Sequence, residues 1–319
     1  MTQYVLSEID PSVDAIYDVL QELDMVKEGD TTDYITFGRS DMTDAPMGPD
    51  YVTDKCSSVK KQNDLLVVLN GSGNYHHLTY GFCRGILEQD GEDYTVFHFD
   101  RHGDSRSYSW LLDCGNFLGK LVHDSEHANK GIIIGADDMV TDSHWMDQSY
   151  LSDDNLEVYP YKNEQGRFRN VSSEPTVDCV DKGYDDSLKE FDVRWHTIKR
   201  EGIEVITHRA LDRTSTDNVY ITVDLDALQG KFVHTDWGNG RMSLDQLLDA
   251  IALVKEEKNI IGLDVTGTDG TDKSQRTAYT IASIVNEVTD GPYDRRFFHD
   301  RIKKASGSDR WNAVKEFFS

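Results

Sequence analysis

The sequence predicts an α/β protein with a three-layer α/β/α arrangement, in which helices cover both faces of a mostly parallel sheet of about eight strands. Two observations support this prediction. Apolar runs of strand length recur along the chain, and segments with apolar residues at helical spacing lie between them. A chain of 319 residues, 38% of them hydrophobic, can also bury the large core that this fold class requires.

The predicted strands are mostly uninterrupted apolar runs, as is typical of strands that are covered on both faces of a parallel sheet. They span residues 65–69, 95–99, 131–136, 203–208, 219–226 and 260–265.

The predicted helices have apolar residues three or four positions apart. The clearest is SLDQLLDAIALVKEE at 243–257, where Ser243 and Gln246 are spaced as in a capping box. The other predicted helices span residues 12–25, 76–89, 185–200, 274–288 and 294–305.

Two polar segments, near residues 26–62 and 150–184, interrupt this alternation and are predicted to be irregular insertions. The second contains a candidate hairpin around Gln165 and Gly166. Neither segment has the length of a second domain, so we expect a single domain over residues 1–319.

The net charge of −25 argues against nucleic acid or an anionic membrane as a partner, because both would repel the chain. No basic segment precedes an apolar run at the amino terminus, and no run of about 18 apolar residues occurs anywhere. The four cysteines form no CxxC pair, which favours reduced, structural thiols. We therefore expect a cytoplasmic protein that acts on a small molecule.

Polar side chains that can bind metal ions or transfer protons follow two of the predicted strands. Asp100, His102 and Asp104 come directly after the strand at 95–99, and Asp224 and Asp226 end the strand at 219–226. Alternate residues of an extended chain point to the same side, and ligands of open α/β sheets bind at the carboxyl ends of the strands. The sequence therefore predicts four carboxylates and an imidazole in one crevice.

Four clustered carboxylates repel one another, and two divalent cations would balance their charge. Oxygen-rich ligation with some imidazole suits Mn²⁺, with Fe²⁺, Co²⁺ and Ni²⁺ as alternatives. His76 or His77, after the strand at 65–69, could complete the ligand set. His98 lies within an apolar strand, two residues before Asp100, so it could point to the metal, but it is interpreted as a satisfied core histidine.

The segments GNYHH, DRHGD and DLD occur in the order and spacing that the ureohydrolase superfamily of arginases, agmatinases and formiminoglutamases shows. In that superfamily the pattern is a GGDH-like histidine, then DxHxD, then DxD. The resemblance covers roughly residues 65–290, includes IGADD and IIGLDV, and favours His76 over His77 in the histidine position. It implies an arginase-like fold.

The resemblance also implies a ligand set for two metal ions. One ion would be held by His76, Asp100, Asp104 and Asp224, and the other by Asp100, His102, Asp224 and Asp226. Asp100 and Asp224 would thus bridge the two ions, and a water molecule between the ions would be the nucleophile.

The sequence departs from the arginases at two functional positions. Leu118 stands where arginases have a histidine thought to shuttle protons, and Gly267 stands where the family has a glutamate that binds the guanidinium or amidinium group. Asp264 and Asp269 flank the second position and are candidate replacements, and His234, on a loop expected to border the crevice, is a candidate proton shuttle. We therefore expect a substrate other than L-arginine.

The predicted function is metal-dependent hydrolysis of a non-peptide C–N bond in a guanidino- or amidino-type small molecule, by a chain that could assemble into a homo-oligomer. His234 or a chain of solvent molecules would protonate the leaving amine. Two alternatives remain. One is a catalytically silent homologue that serves as a binding or regulatory module, and the other is a deacetylase-type hydrolase.

Overall fold

The structure is a computed structural model that describes residues 1–7, 10, 12–37, 47–106, 110–137, 150–151, 154–269 and 275–317. Eleven strands lie in these ranges. In chain order they are β1 Thr2–Ser7, β2 Thr31–Ile35, β3 Leu65–Ser72, β4 Tyr94–Phe99, β5 Ala128–Ile134, β6 Leu156–Tyr159, β7 Gln165–Arg169, β8 Asp181–Asp185, β9 Glu190–Arg194, β10 Asn218–Asp224 and β11 Asn259–Thr268.

Eight of these strands form one sheet, in the order β2-β1-β3-β11-β10-β4-β5-β6. Every pairing in this sheet is parallel. The sheet therefore confirms the predicted architecture. Its four central strands are β3, β11, β10 and β4, and their carboxyl ends lie at the same edge of the sheet.

Helices cover both faces of the sheet. They are α1 Ser12–Glu22, α2 Pro49–Cys56, α3 Leu78–Gly85, α4 Phe117–Asp124, α5 Ile198–Glu201, α6 Ile203–Asp212, α7 Leu244–Glu257, α8 Gln275–Thr289 and α9 Arg295–Phe317. The hydrophobic core on one face includes side chains of α1, α6, α7, α8 and α9. The core on the other face includes side chains of α2, α3 and α4. These are the three predicted layers.

The apolar character of the strands follows from this double coverage. In β4, Phe97 and Phe99 pack into the first core, whereas Tyr94 and Val96 pack into the second. A strand with both faces buried has no reason to alternate apolar and polar residues. His98 lies on the same face of β4 as Val96, because side chains two positions apart point the same way.

The predicted capping box is present at the start of α7. The side chain of Ser243 accepts a hydrogen bond from the backbone N–H of Gln246, and the Gln246 side chain accepts one from the backbone N–H of Ser243. Both bonds satisfy N–H groups that the first turn of a helix leaves without intrahelical partners.

The prediction of a strand at 203–208 was wrong, because these residues begin helix α6. The buried side chains of α6 are spaced at intervals of one, three and four, while Val205 is exposed. A short apolar run is compatible with both types of structure, and here the apolar spacing continues beyond residue 208 as it does in a helix.

The prediction of a helix at 185–200 was also wrong, because the segment contains β9 and the short helix α5. Residues 190–194 alternate buried and exposed side chains, which is the pattern of a strand with one solvent-facing side. Strand β9 lies between β7 and β8 in a three-stranded antiparallel sheet.

The two segments predicted to be irregular contain regular elements. Strand β2 and helix α2 lie within 26–62, of which residues 38–46 are outside the described part of the chain. Within 150–184, Gln165 and Gly166 belong to strand β7 and not to a hairpin turn. The sheet formed by β7, β8 and β9 is anchored to the second core by Phe168 and Phe191. No helix in the described ranges combines the length and apolar character needed to cross a membrane.

Candidate metal centre

Three strands deliver acidic and imidazole side chains to one edge of the sheet. His76 follows β3 after a single 3-10 turn, Gly73–Tyr75. Asp100 is the first residue after β4, and Asp224 is the last residue of β10. Asp226 lies in the 3-10 turn that follows β10. Residues distant in sequence thus meet where the sheet topology brings strand ends together.

Four side chains form the first cluster, which is centred on Nδ1 of His76. This nitrogen lies 3.3 Å from Oδ2 of Asp100, 3.2 Å from Oδ2 of Asp104 and 3.4 Å from Oδ2 of Asp224. Two ligand atoms that each lie about 2.2 Å from an ion, at right angles, are about 3 Å apart. The measured separations therefore match those between neighbouring ligands of one ion.

The second cluster contains His102, whose Nδ1 lies 3.3 Å from Oδ1 of Asp100 and 3.0 Å from Oδ2 of Asp226. Asp100 thus presents one oxygen to His76 and the other to His102. A carboxylate in this position can bridge two cations. Asp224 belongs to the first cluster through its Oδ2, while its Oδ1 accepts a hydrogen bond from the backbone N–H of Asp226.

A chain of hydrogen bonds orients the imidazole of His76. Its Nε2 lies 2.9 Å from Oγ1 of Thr222, and Thr222 donates its hydroxyl proton to Oδ1 of Asp264. Thr79 donates to the same carboxylate oxygen. Because the single proton of Thr222 is used, its oxygen must accept a proton from His76 Nε2. Nδ1 is therefore the ring nitrogen that faces the carboxylates, and it can bind a metal ion once the ion displaces its proton.

Asp264 lies at the far end of this network. Its carboxylate is fully buried beneath His76, on the far side of Thr222, and does not line the crevice. The suggestion that Asp264 replaces the missing glutamate was therefore wrong. Asp264 instead supports a ligand.

Replacing Thr222 with Val should weaken metal binding by roughly 10- to 100-fold, because His76 Nε2 loses its partner and the ring its orientation. Thr222→Ser keeps the hydroxyl and should bind metal like the wild type. Titration of both variants with Mn²⁺, followed by calorimetry, measures the difference. Equal affinities for the Val and Ser variants would show that the hydroxyl does not orient His76.

The carboxylates are held close together in a buried environment, and this raises several of their pKa values. Burial, together with the charge of Asp100, raises the pKa of Asp104 to about 6. Burial and the charges of Asp224 and Asp100 raise the pKa of Asp226. Burial disfavours the charged form of His76, but its contacts with the carboxylates outweigh this effect and raise its pKa. The cluster therefore favours added positive charge, from protons or from cations.

Unpaired atoms in the cluster are further evidence that it fits cations. Oδ2 of Asp100 and Oδ2 of Asp226 are buried and have no hydrogen-bond partner within the described ranges of the chain. A buried polar atom without a partner costs about 1–3 kcal/mol. Both oxygens lie within 3.3 Å of a histidine nitrogen, so an ion between them would satisfy oxygen and nitrogen together. The donor set of carboxylates and imidazoles suits divalent transition metals.

Gly267 is required by the close approach of Asp224. The backbone of Gly267 has φ +95°, and a Cβ atom at this position would lie 2.2 Å from Oδ1 of Asp224 and 2.7 Å from the backbone nitrogen of Leu225. No other amino acid fits without displacing the carboxylate. The departure from the family's glutamate is thus built into the local packing.

A cavity of about 140 Å³ opens onto the first cluster. Three lining residues were not found from the sequence: Trp237, Arg106 and Cys114. The indole of Trp237 is half exposed, donates from Nε1 to Oδ1 of Asn74 and lies edge-on to His102 with ring centroids 6.2 Å apart. No motif marked these residues, which lie in loops. The full lining is Gly73, His76, Asp100, His102, Gly103, Asp104, Arg106, Cys114, Gly115, Asp224 and Trp237.

Other residues singled out from the sequence lie at varying distances from the cluster. His76, and not His77, lies in the cluster, and burial lowers the pKa of His77 to about 4. His234 is exposed and does not line the cavity, so its role as proton shuttle finds no support in this geometry. Leu118 is fully buried, and its backbone N–H donates to the carbonyl of Asp104.

The interpretation of His98 as a satisfied core histidine was wrong. The side chain is fully buried, but neither ring nitrogen has a hydrogen-bond partner among the described residues. Its Nε2 lies 3.2 Å from Oδ2 of Asp100 and 3.6 Å from Oδ2 of Asp104. His98 is therefore a fifth member of the first cluster. One ligand atom from each of His76, His98, Asp100 and Asp104 lies within 4.8 Å of the others.

Solved structures with this fold include several ureohydrolases. Arginase from Entamoeba histolytica in complex with L-ornithine is 13% identical, with a TM-score of 0.60 over 90% of this chain and 97% of that one. Formimidoylglutamase from Bacillus subtilis is 14% identical, with a TM-score of 0.59 over 92% and 88%. A variant of Trypanosoma cruzi formiminoglutamase with Mn²⁺ is 13% identical, with a TM-score of 0.62 over 91% and 94%. At these identities the likeness establishes the fold alone.

No curated protein matches the sequence at a significant level. The model of the Arginase family, in contrast, matches residues 5–290. This match covers most of the chain, agrees with the fold of the solved structures and confirms the resemblance carried by the three motifs. The chain therefore belongs to the Arginase family.

Proposed function

We propose that this protein is a hydrolase that depends on two divalent cations and cleaves a non-peptide C–N bond in a guanidino- or amidino-type small molecule other than L-arginine. The observation that carries the proposal is the position of Asp100. Its Oδ2 lies 3.3 Å from Nδ1 of His76, and its Oδ1 lies 3.3 Å from Nδ1 of His102. A carboxylate shared between two imidazole-containing clusters is what a two-metal site needs.

In this proposal each residue of the ligand set has a defined task. His76, Asp100, Asp104 and Asp224 would hold one ion, and Asp100, His102, Asp224 and Asp226 the other. Oxygen-rich ligation favours Mn²⁺, with Fe²⁺, Co²⁺ or Ni²⁺ as alternatives. The Mn²⁺ in the Trypanosoma cruzi relative supports this choice. Two such cations would activate a water molecule for attack on a planar carbon.

The cavity restricts the substrate to a small molecule. A cavity of about 150 Å³ accommodates roughly one benzene-sized molecule, so about 140 Å³ leaves room for the reacting group and a few further atoms. The exposed face of Trp237 offers a surface for a planar cationic group. These features suit a guanidinium or amidinium.

The absence of an acidic side chain at Gly267 argues against L-arginine. A buried guanidinium that lacks its carboxylate partner forgoes a charge-assisted contact worth roughly 1.5–3 kcal/mol. The only imidazoles among the described residues that line the cavity are His76 and His102, and both face carboxylates. We therefore assign protonation of the leaving amine to solvent.

The negative net charge supports a cytoplasmic enzyme with no nucleic-acid or membrane partner, and assembly into a homo-oligomer remains part of the proposal.

Metal analysis of the purified protein, combined with product assays, tests the function. The chain should bind two metal ions and release urea, formamide or ammonia from at least one compound of a guanidino and amidino panel. Release of acetate from N-acetyl amines would instead favour a deacetylase. Two bound ions with no turnover of any compound would contradict the hydrolase and favour a binding or regulatory module, which the replacements at Leu118 and Gly267 also favour.

Affinity for Mn²⁺ should increase between pH 5.5 and pH 7.5. The pKa of Asp104 is raised to about 6, so below this pH a proton occupies a carboxylate that the ion needs. Because the ion must displace this proton, its affinity should fall by roughly 10-fold for each pH unit below that pKa. Calorimetric titration at pH 5.5, 6.5 and 7.5 measures the trend. An affinity that stays constant over this range would contradict proton competition at Asp104.

The stability of the metal-free protein should decrease between pH 5.5 and pH 7.5, whereas the affinity for Mn²⁺ increases. A carboxyl whose pKa is raised by folding contributes stability that is present below its unfolded pKa, near 3.9, and is lost as the pH rises through about 6. The stabilisation produced by Mn²⁺ should therefore be larger at pH 7.5 than at pH 5.5. Thermal melts with chelator and with Mn²⁺ provide the comparison.

A further inference from the structure

His98 occupies an unusual position for a residue in the middle of a buried strand. It precedes Asp100 by two residues in β4, so both side chains point to the same face of the sheet. Its ring packs against two others, with centroids 5.1 Å from His76 and 5.6 Å from Phe117. No part of the side chain is exposed to solvent.

In the part of the chain that the structure describes, the ring nitrogens of His98 have no hydrogen-bond partner, although Asp100 and Asp104 are close. At 3.2 Å, the Oδ2 atom of Asp100 is near enough to accept a hydrogen bond from Nε2, but the ring is not aligned for one. His76 Nδ1 stands in the same relation to these two oxygens, at 3.3 Å and 3.2 Å. Nε2 of His98 is therefore placed like a second nitrogen ligand.

We propose that Nε2 of His98 is a direct ligand of the more buried metal ion, the one also held by His76, Asp100 and Asp104. The inference rests on the proposed two-metal function and adds a residue outside the ligand set that the family resemblance implies. Ligand atoms of one ion cannot be more than about 4.4 Å apart when each lies about 2.2 Å from it. The four atoms, all within 4.8 Å of one another, come close to this limit without large movements.

The two metal positions would then differ in chemistry. The buried position has two imidazoles, from His76 and His98, whereas the outer position has one, from His102, whose side chain is 21% exposed. Imidazole favours Fe²⁺, Co²⁺ and Zn²⁺ over Mn²⁺ more strongly than carboxylate does. The buried position should thus select Co²⁺ over Mn²⁺ more strongly than the outer position.

Replacing His98 with Phe tests the proposal, with His77→Phe as the matched control. His77 is also buried and, among the described residues, also lacks partners for both ring nitrogens, but it lies outside the cluster. Metal-free proteins are dialysed against equal concentrations of Mn²⁺ and Co²⁺, and the bound ions are measured by mass spectrometry. We expect His98→Phe to bind one ion at least about 10-fold more weakly and to show a lower Co²⁺ to Mn²⁺ ratio, and His77→Phe to match the wild type.

X-ray absorption on the wild type with one equivalent of Co²⁺ provides a measurement that does not depend on a variant folding. Two imidazoles per Co²⁺ support the proposal, and one overturns it. If the wild type and His98→Phe bind two ions with the same affinities and ratio, His98 is not a ligand, while the proposed function stands. If the wild type binds no metal, the proposed function fails, and this inference fails with it.

Discussion

Asp104→Asn should remove most of the stabilisation by Mn²⁺ while making the metal-free protein more stable. Saturation at about 1,000 times the Kd stabilises a protein by about 4 kcal/mol, and the variant should lose most of this gain because Asp104 is a ligand of the proposed buried ion. In the metal-free state the same carboxylate destabilises the protein. Its raised pKa means that its ionised form is disfavoured by the fold at pH 7.5, so its removal should stabilise by about 1–3 kcal/mol.

The measurement is a set of thermal melts at pH 7.5, with chelator and with saturating Mn²⁺, supported by metal analysis. A gain of about 1 kcal/mol corresponds to a few degrees in Tm for a chain of this size. The opposite signs of the two effects distinguish a metal ligand from a structural residue, since loss of a structural residue would lower both melting temperatures.

Glu157→Gln is the matched control. Glu157 is a buried carboxyl whose pKa is also raised by burial, but Arg213 Nε donates to it at 2.6 Å, and it lies outside both clusters. Its replacement should lower stability, because Arg213 loses a buried ionic partner, and should leave Mn²⁺ uptake unchanged. If Asp104→Asn behaves like this control, the assignment of Asp104 as a ligand is wrong.

Local patterns in the sequence were sufficient to assign secondary structure where the pattern fitted only one type of element. The capping box at Ser243 and Gln246 defined the start of α7, and the continuous apolar runs identified the central strands of the sheet. The run at 203–208 was misassigned because a few apolar residues fit a strand and a helix equally well. The assignment depends on whether the run packs against a sheet or pairs within one, which is a property of the tertiary structure.

Much of the candidate site was also visible in the sequence. Asp100, His102 and Asp104 follow one strand and Asp224 and Asp226 end another, so a parallel sheet necessarily brings them to the same edge. The role of His98 could not be read in this way. An imidazole in an apolar strand looks the same whether its nitrogens are satisfied or free, and only the distances to Asp100 and Asp104 reveal the difference.

The cavity wall was the least predictable part. Trp237 and Arg106 reach the crevice from loops whose course depends on particular contacts, such as the hydrogen bond from Trp237 to Asn74. Gly267 is a second feature that the sequence alone could not explain. The sequence revealed that the family's glutamate is missing, but only the structure shows why a side chain does not fit there.

Restoring that glutamate with Gly267→Glu should therefore fail to create an arginase. A Cβ atom at this position would lie 2.2 Å from Oδ1 of Asp224, so the new side chain must displace a carboxylate of the first cluster. The backbone at φ +95° also disfavours any residue other than glycine. We expect metal binding weaker by at least about 10-fold and a stability loss of about 1–3 kcal/mol, with no urea released from L-arginine.

Two further variants separate the causes of this effect. Gly267→Ala adds only the Cβ atom and should reproduce the loss of metal binding, since the collision with Asp224 begins at Cβ. Gly91→Ala introduces a side chain at φ +67°, where nothing lies within 4 Å, so it measures backbone strain alone. It should cost about 1–2 kcal/mol and leave metal binding intact. If Gly267→Glu instead keeps two ions and hydrolyses L-arginine, the end of β11 can move away from Asp224. The substrate is then set by this single side chain and not by the packing around it.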